Sequence, residues 1–496
     1  MKPILLLLAL LSATQSLVAQ SFVLDFKMKK NYGDPFVFND SAAQKTYFVF
    51  IRKAVFTQKA SLCIIETDAE FHVLQQSETN CGEWSGDIVF QEINPTNLIL
   101  YIVETNTIFK PSLSKLQINR KTLTYYFDKV VSLNMGDDLS YLRGLSDGKK
   151  HYIVNLMRGA KADSLLVLTI DNGVSQGVQR YLLPDLSDIN ETWKKIFKDR
   201  YVLFGPSHPL LVISPTDNPA MSLGVSNNKL YLADNQLIFT MKYDLISSKM
   251  ERVVKIDVDN QTIVKEDITF RKPKALESYS SNAPTSTASY VTDNYLFQAW
   301  TNGETGVLVA RNLASLKEKQ RWEFGEQDTF SFKSSPVYSH LTNQSYWFAD
   351  KKKPFKNSKE LLNKMMDDGF LLAARKDENG IKIQFGTYKY VDKSNARIGL
   401  SVGLGLIGGL VAGVALPNYE RATYFWLSLN SDDLSQKNII LSDDFDIFCE
   451  RVRATTRVRI LNYFSVNGRR AILYQHGESE TFDKTTLQYF LKIEEK

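Results

Sequence analysis

The sequence predicts an all-β fold, a seven-bladed β-propeller built from one four-stranded unit repeated in series. Three observations carry this expectation. One phrase recurs: an alternating apolar strand, a turn holding Asp or Asn, then a second strand, with turns at Asp68, Asn119, Asp171, Asp259, Asn312 and Asn430. A second series of turns lies near Gln44 and at Asn97, Asp147-Gly148, Asp234-Asn235, Asp293-Asn294, Asn379-Gly380 and Asn467-Gly468, each followed by a strongly apolar strand. Aromatic residues make up 12% of the chain, with 23 Tyr and 29 Phe, a composition that favours strands.

Taken in order, residues 1–20 read as an export signal. Lys2 gives a positive start, residues 4–11 form an apolar core, and the run to Ala19 offers a cleavage site. The rival reading is an N-terminal membrane anchor, for which the apolar core is short. The mature chain, 21–496, is expected to be a single exported domain, periplasmic or extracellular, with peripheral membrane association allowed. Its first strand, 22–28, has no unit of its own, and the last unit stops at Ile493 without an outermost strand. The N-terminal strand is therefore expected to complete that unit and close the ring, since an open ring leaves two sheet edges exposed. Two packed sheets or a β-solenoid are the alternatives.

Each unit then holds strands A to D, with tight A–B and C–D turns. From the first turn to the second is 19 to 25 residues in five units and 51 in the sixth, Asn379 to Asn430. The excess is an insertion at 392–420 in the B–C connection. Two connections between units are also long, at about 172–233 and 313–378. Each contains a helical pattern: 188–198, with Asp188 as cap, and 358–368, with Ser358 as cap. Because successive antiparallel strands reverse direction, all three excursions should leave from the same ends of their units. Function tends to sit on loops held by a rigid scaffold, so that end is the candidate working face.

The third excursion carries the least ordinary stretch. Residues 398–416, IGLSVGLGLIGGLVAGVAL, hold no charge, and Ser401, Gly405, Gly409 and Gly413 recur every fourth residue. On a helix these small residues form one stripe that a second backbone can approach closely, with Leu406, Ile407 and Leu410 beside it. As one helix the run would reach about 28 Å. A spanning helix would separate the last units from the rest, and six glycines weaken it. A protruding apolar contact element and a glycine-rich plug over the ring's mouth are the other readings. The first of these is preferred, with Gly405, Leu406, Ile407, Gly409, Leu410 and Gly413 as contact residues.

Motifs that resemble catalytic signatures fail on context. Residues 403–408 match GxGxxG, but a dinucleotide site needs a βαβ unit and an acid further on. Residues 144–148 match GxSxG, but a strand follows where a nucleophile elbow needs a helix. His72, His151, His208, His340 and His476 show no ligand spacing, and Asp257 and Asp259 lack the rest of a calcium loop. Asp367-Asp368, Asp432-Asp433 and Asp443-Asp444 are paired acids of the kind that solvated turns contain. Lys351–Lys353 beside the 358–368 helix could sit on an anionic membrane, or the helix could cover the rim of the ring. An oxidising compartment permits a Cys63–Cys81 bridge, with Cys449 left over; three buried thiols are the other reading. The net charge of +5, from 60 basic and 55 acidic residues, is too balanced to imply a nucleic-acid partner.

No catalytic residue, metal site or cofactor is assigned. The expected function is an exported, non-enzymatic binding or scaffold protein. Its apolar insertion would meet a partner protein or a membrane, or another copy of the chain. The alternative is an exported glycan- or peptide-acting hydrolase or lyase with carboxylates converging in the ring's mouth.

Overall fold

The structure is a computed structural model. It describes residues 21–29, 32, 35–40, 42–52, 60–82, 87–104, 112–132, 139–146, 150–157, 164–171, 174–183, 211–213, 224, 228–233, 235–244, 249–270, 286–343, 346–347, 351–352, 357–377, 380–391, 419–437, 458–466, 469–476 and 486–493. The chain is mostly β-strand, arranged as a series of antiparallel four-stranded meanders, with one helix among the described residues. It divides into two compact units, 1–133 with 345–349 and 442–496, and 134–344 with 350–441.

In the first unit, one meander runs Phe36–Asp40, Lys45–Arg52, Ala60–Thr67 and Val73–Gly82, and a second runs Asp87–Ile93, Asn97–Glu104, Ser112–Asn119 and Tyr125–Ser132. The strands Lys45–Arg52 and Asn97–Glu104 are buried on both faces along their middles, so Tyr47–Ile51 and Leu98–Val103 read as unbroken apolar runs. Tyr47, Val49 and Ile51 pack toward the second sheet with Leu98, Leu100 and Ile102. Phe48 and Phe50 pack on the other side with Ala471, Leu473 and Leu491 of the C-terminal sheet. That alternation makes the first of these sheets a layer between the other two. The first strands of neighbouring sheets lie against each other.

The C-terminal sheet consists of Val458–Val466, Arg469–His476 and Thr486–Ile493. Its fourth strand is Ser21–Lys29, paired antiparallel with Thr486–Ile493 from Ser21–Lys492 to Lys29–Thr486, with one irregularity between Val23 and Lys27. The N-terminal strand thus sits where the sequence placed it. Cys63 and Cys81 are free thiols. Cys63 packs on the face toward the C-terminal sheet and Cys81 on the opposite face, so the permitted bridge is ruled out by strand parity. Cys449 lies outside the described residues.

The second unit holds four groups of paired strands in chain order, at 139–182, 211–269, 286–325 and 338–429, with buried cores shared between successive groups. Leu139–Ser146 pairs with Lys150–Met157, which places Gly144, Leu145 and Ser146 of the GxSxG stretch on a strand, followed by another strand rather than a helix. Two sheets depart from the expected four-strand pattern. Leu211–Ile213 joins Asn228–Ala233 in parallel, giving the second of these sheets five strands. In the last sheet, Phe370–Asp377, Gly380–Val391 and Tyr419–Leu429 follow the expected order. The outer place beside Tyr419–Leu429 was expected to go to residues after Asn430. It is taken by Tyr338–Asn343, from the second excursion, and among the described residues after Asn430 the pairing is one bridge, Leu429–Gln436. The hydroxyls of Ser334 and Ser335 support this arrangement. They accept the backbone N–H groups of Ser428 and Trp426, and so extend the borrowed edge along the strand.

The helix α1 (Lys359–Asp367) falls within the expected 358–368. Its apolar face, Leu361, Leu362 and Met365, is buried in the core, which assigns it to covering the sheets rather than to a membrane surface. Ser358 stands at the N-cap, as the sequence predicts, but its side chain makes no capping bond; its hydroxyl donates to the Asp328 carbonyl at 2.6 Å. The 188–198 pattern lies outside the described residues.

Candidate functional site: the excursion end of the second unit

Several C–D turns share one construction. An Asx carboxyl or amide accepts backbone N–H groups within the turn: Asp68 from Glu70 and His72, Asn119 from Lys121 and Thr122, Asn312 from Ser315. A buried apolar residue with positive φ then re-enters the sheet: Phe71, Leu123, Leu316 and Leu434. Two turn assignments shift by a few residues. Asp257 rather than Asp259 accepts the Asn260 N–H, and Asn94 rather than Asn97 caps the first turn of its unit. Asp259 instead binds Lys150 at 3.0 Å and Asn235 at 3.0 Å, joining three turns. The calcium-loop pattern is thereby absorbed into turn structure.

At the opposite end of the same strands, the three excursions converge. The first reaches Gly224, where a Cβ would stand 2.6 Å from Leu371 Cδ1 and 3.0 Å from the Leu372 carbonyl. Only a glycine fits there without displacing the start of Phe370–Asp377. The second excursion supplies α1, which runs directly into that strand, and Tyr338–Asn343. The third leaves from Gly380–Val391 and returns on Tyr419–Leu429. These two strands are paired to Val391–Tyr419, four residues past the Phe370–Thr387 pair, or about 13 Å of strand. Residues 392–418 lie outside the described residues. So do all six predicted contact residues, Gly405, Leu406, Ile407, Gly409, Leu410 and Gly413, as well as His208 and Asp443-Asp444.

Where the insertion departs, Lys389 and Arg421 are directly opposed across the two strands. Like charges in that position repel. Asp368, at the end of α1 and 4% exposed, lies 2.7 Å from Arg421 and 3.2 Å from Lys389. Burial pushes its carboxyl up, but the hydrogen bonds and charge of Arg421 and Lys389 prevail and hold it below the usual carboxylate range. One of the paired acids read from sequence is therefore a clamp on two cations. The signal for it was the Asp-Asp-Gly ending of a helix, which identifies no partner.

A second charged group lies between the 211–269 and 286–325 sheets. Lys229 is fully buried; its ammonium donates to the Ser289 and Gly224 carbonyls and stands 5.5 Å over the Tyr290 ring. Glu251, also fully buried, accepts from Gln298, whose carbonyl oxygen accepts from Arg311 at 2.7 Å. Lys242 donates to the Thr287 carbonyl. Burial, reinforced by the Lys242 charge, holds the Lys229 amine well below its ordinary value, and burial raises the Glu251 carboxyl. Sequence reasoning missed this layer, because Lys229 opens an apolar strand, NKLYLA, and reads as a surface lysine. The ammonium of Lys229 ties the end of the first excursion to the next sheet. Among the described residues, no group of three or more His, Cys, Asp or Glu side chains is placed to hold a metal ion. No helix of the described residues is long and apolar enough to cross a membrane.

Comparison with known proteins leaves the chain without a family: no family model matches, and no curated protein matches. Among solved structures it is similar to the propeller of Dos1, at 12% identity over 95% of each chain, with a TM-score of 0.33. It is similar to a subtype N11 neuraminidase-like protein of A/flat-faced bat/Peru, at 9% identity over 85% of this chain and 97% of that one, TM-score 0.30. Similarity to a variant of the Synechocystis apocarotenoid oxygenase is 8% identity over 58% of this chain, TM-score 0.28, and the chain spans 61% of that protein's length. All three scores lie well below one half, so none of these proteins bears on what this chain does.

Proposed function

We propose that this chain is an exported, non-enzymatic seven-bladed β-propeller, closed by its N-terminal strand, that binds a partner through the excursion end of its second unit. Residues 398–416 make the contact, through Gly405, Gly409 and Gly413 and the neighbouring Leu406, Ile407 and Leu410. The partner is a membrane surface or a protein of the cell envelope. One observation carries this reading: described parts of all three excursions meet around the start of Phe370–Asp377, and two long strands carry the third beyond it. A scaffold that repeats one turn chemistry at one end and concentrates its irregularities at the other is arranged to present the latter. The hydrolase reading asks for an open inner surface lined with acids. In the second unit, Leu211–Ile213 pairs in parallel beside Asn228–Ala233 and brings three apolar side chains there, which supports the binding reading over the hydrolase one.

The test is fractionation of the full chain and of a variant in which 398–416 is replaced by a short polar linker. The reading expects both to fold with the same circular dichroism, and only the full chain to appear with membranes or a co-purifying protein. Equal association of the two would remove 398–416 as the contact.

A further inference from the structure

We propose that Lys229 is a latch on the end of the first excursion, and that ionisation of Glu251 opens it. In the closed form the Lys229 ammonium holds the carbonyls of Gly224 and Ser289. In the open form it turns to the Glu251 carboxylate and gives them up. This goes beyond the reading above and does not depend on what the excursion end binds.

The structure is the closed form. Lys229, Tyr231, Thr240, Lys242 and Glu251 share one face of the 211–269 sheet, with Lys229 opposite Thr240 and Lys242 opposite Glu251 across neighbouring strands. Tyr231 and its strand partner Ile238 place that face in the core shared with the next sheet. The Lys229 ammonium donates to the Ser289 carbonyl and, at 3.3 Å, to that of Gly224. Lys242 donates to the Thr287 carbonyl. Both cations thus reach for backbone although a carboxyl shares their face. Glu251 is fully buried; its Oε2 accepts from Gln298, while Oε1 makes no hydrogen bond, although the Ser289 side chain lies close by.

A neutral carboxyl tolerates that arrangement. An ionised oxygen buried without a donor costs far more, so a carboxylate there competes with the carbonyls for an ammonium. The charged and titratable groups that face it are Lys229, Tyr231 and Lys242 of its own sheet, Tyr290 of the next, and Arg311, which is reached through Gln298 and stands 3.8 Å from Glu318. Lys255 and the exposed Glu266 lie further along the same face, toward the turn end. Gly224 is packed against Leu371 and the Leu372 carbonyl, so releasing it loosens the first excursion where it meets Phe370–Asp377.

The sign follows from each group. Burial raises the Glu251 carboxyl, so the closed form is favoured at acid pH and loses that advantage as pH rises through the raised value. Lys229 acts in the opposite sense: burial and the Lys242 charge lower its amine, and its own titration favours closure as pH rises through the lowered value. Replacing Glu251 separates the two.

The experiment is hydrogen exchange of the mature chain, read by mass spectrometry on the amides of 228–233 and 286–291 and corrected for the intrinsic pH dependence of exchange. As pH rises from ~4 to ~8, protection there should fall about tenfold, the weight of one hydrogen bond to a charged group. Amides of 150–157, in another sheet, should keep theirs. Glu251→Gln should abolish the fall, and Lys229→Met should show low protection at every pH. Level protection in the parent, an equal fall in Glu251→Gln, or an equal fall at 150–157 would overturn the latch. A fall that persists in Lys229→Met would assign the competition to Lys242 and overturn it for Lys229. If Lys229→Met fails to fold by circular dichroism, the parent against Glu251→Gln decides.

Discussion

The two ends of the second unit are made from the same strands and held together differently. At the turn end, short connections are stitched by repeated local chemistry. Asp259 joins Lys150 and Asn235, Asp293 binds Lys376 at 3.0 Å, Tyr295 donates to the Ser431 carbonyl at 3.1 Å, and Lys255 donates to the Leu313 and Ala314 carbonyls. At the excursion end, contacts are unique: a glycine pressed on a backbone, a buried carboxylate between two cations, a strand borrowed from elsewhere in the chain. The difference teaches that one end specifies the repeat, while the other carries what distinguishes this chain from any other repeat of the same kind.

That contrast makes predictions that run from large to small. Phe330 belongs to the second excursion, yet it is fully buried, 4.8 Å from the Phe324 ring and 4.9 Å from that of Phe425. Phe330→Ala should lose about 3–5 kcal/mol in chemical denaturation. A loss below about 1 kcal/mol would mean the excursions are decoration on a self-sufficient set of sheets. Gly224→Ala drives a methyl into Leu371 and should cost about 1–3 kcal/mol, again read by denaturation. A neutral result would detach the first excursion from the last sheet. At the other end, Asn312→Ala removes the acceptor of the Ser315 N–H and should cost about 1 kcal/mol. The same change at Asn119 should match it, because the turns are repeats.

The smallest effects concern pH, and there two acids of the excursion end part company. Asp368 has a lowered carboxyl value in the folded chain. Its stabilisation is present above the ordinary carboxylate range and is lost as pH falls through the folded value. Glu251 is raised, so the folded chain holds its proton longer. Its carboxyl therefore favours folding at acid pH, and that contribution is lost as pH rises through the folded value. Measured from pH ~3 to ~8, the stability of the parent relative to Asp368→Asn should rise with pH, and relative to Glu251→Gln it should fall. The same slope for both variants would mean that the two sites do not differ as described.

Much of the fold could be read from residues because the repeat is local. Asx turns, apolar central strands and an unpaired first strand are visible at short range, and Ser21–Lys29 pairs where its lack of a unit required. The misses come from long range. Nothing near Asn430 tells that Tyr338–Asn343 will take the neighbouring edge, where Ser334 and Ser335 also accept N–H groups of the same strand. The parallel Leu211–Ile213 is too short to carry a period. In the site, Asp368, Lys389 and Arg421 are far apart in sequence and ordinary one by one, and only strand register brings them together. The apolar stretch, by contrast, was conspicuous from composition alone.

The most direct measurement places a bulky polyethylene glycol maleimide at one end or the other, in a chain with Cys81 and Cys449 replaced by Ser. Asn363→Cys puts it on the exposed side of α1, at the excursion end, and Ser315→Cys puts it on a turn. Association with membranes or a partner should be blocked by the label at position 363 and unaffected by the label at 315. Blocking from position 315 alone, with free association after labelling at 363, would contradict the assignment of the working end.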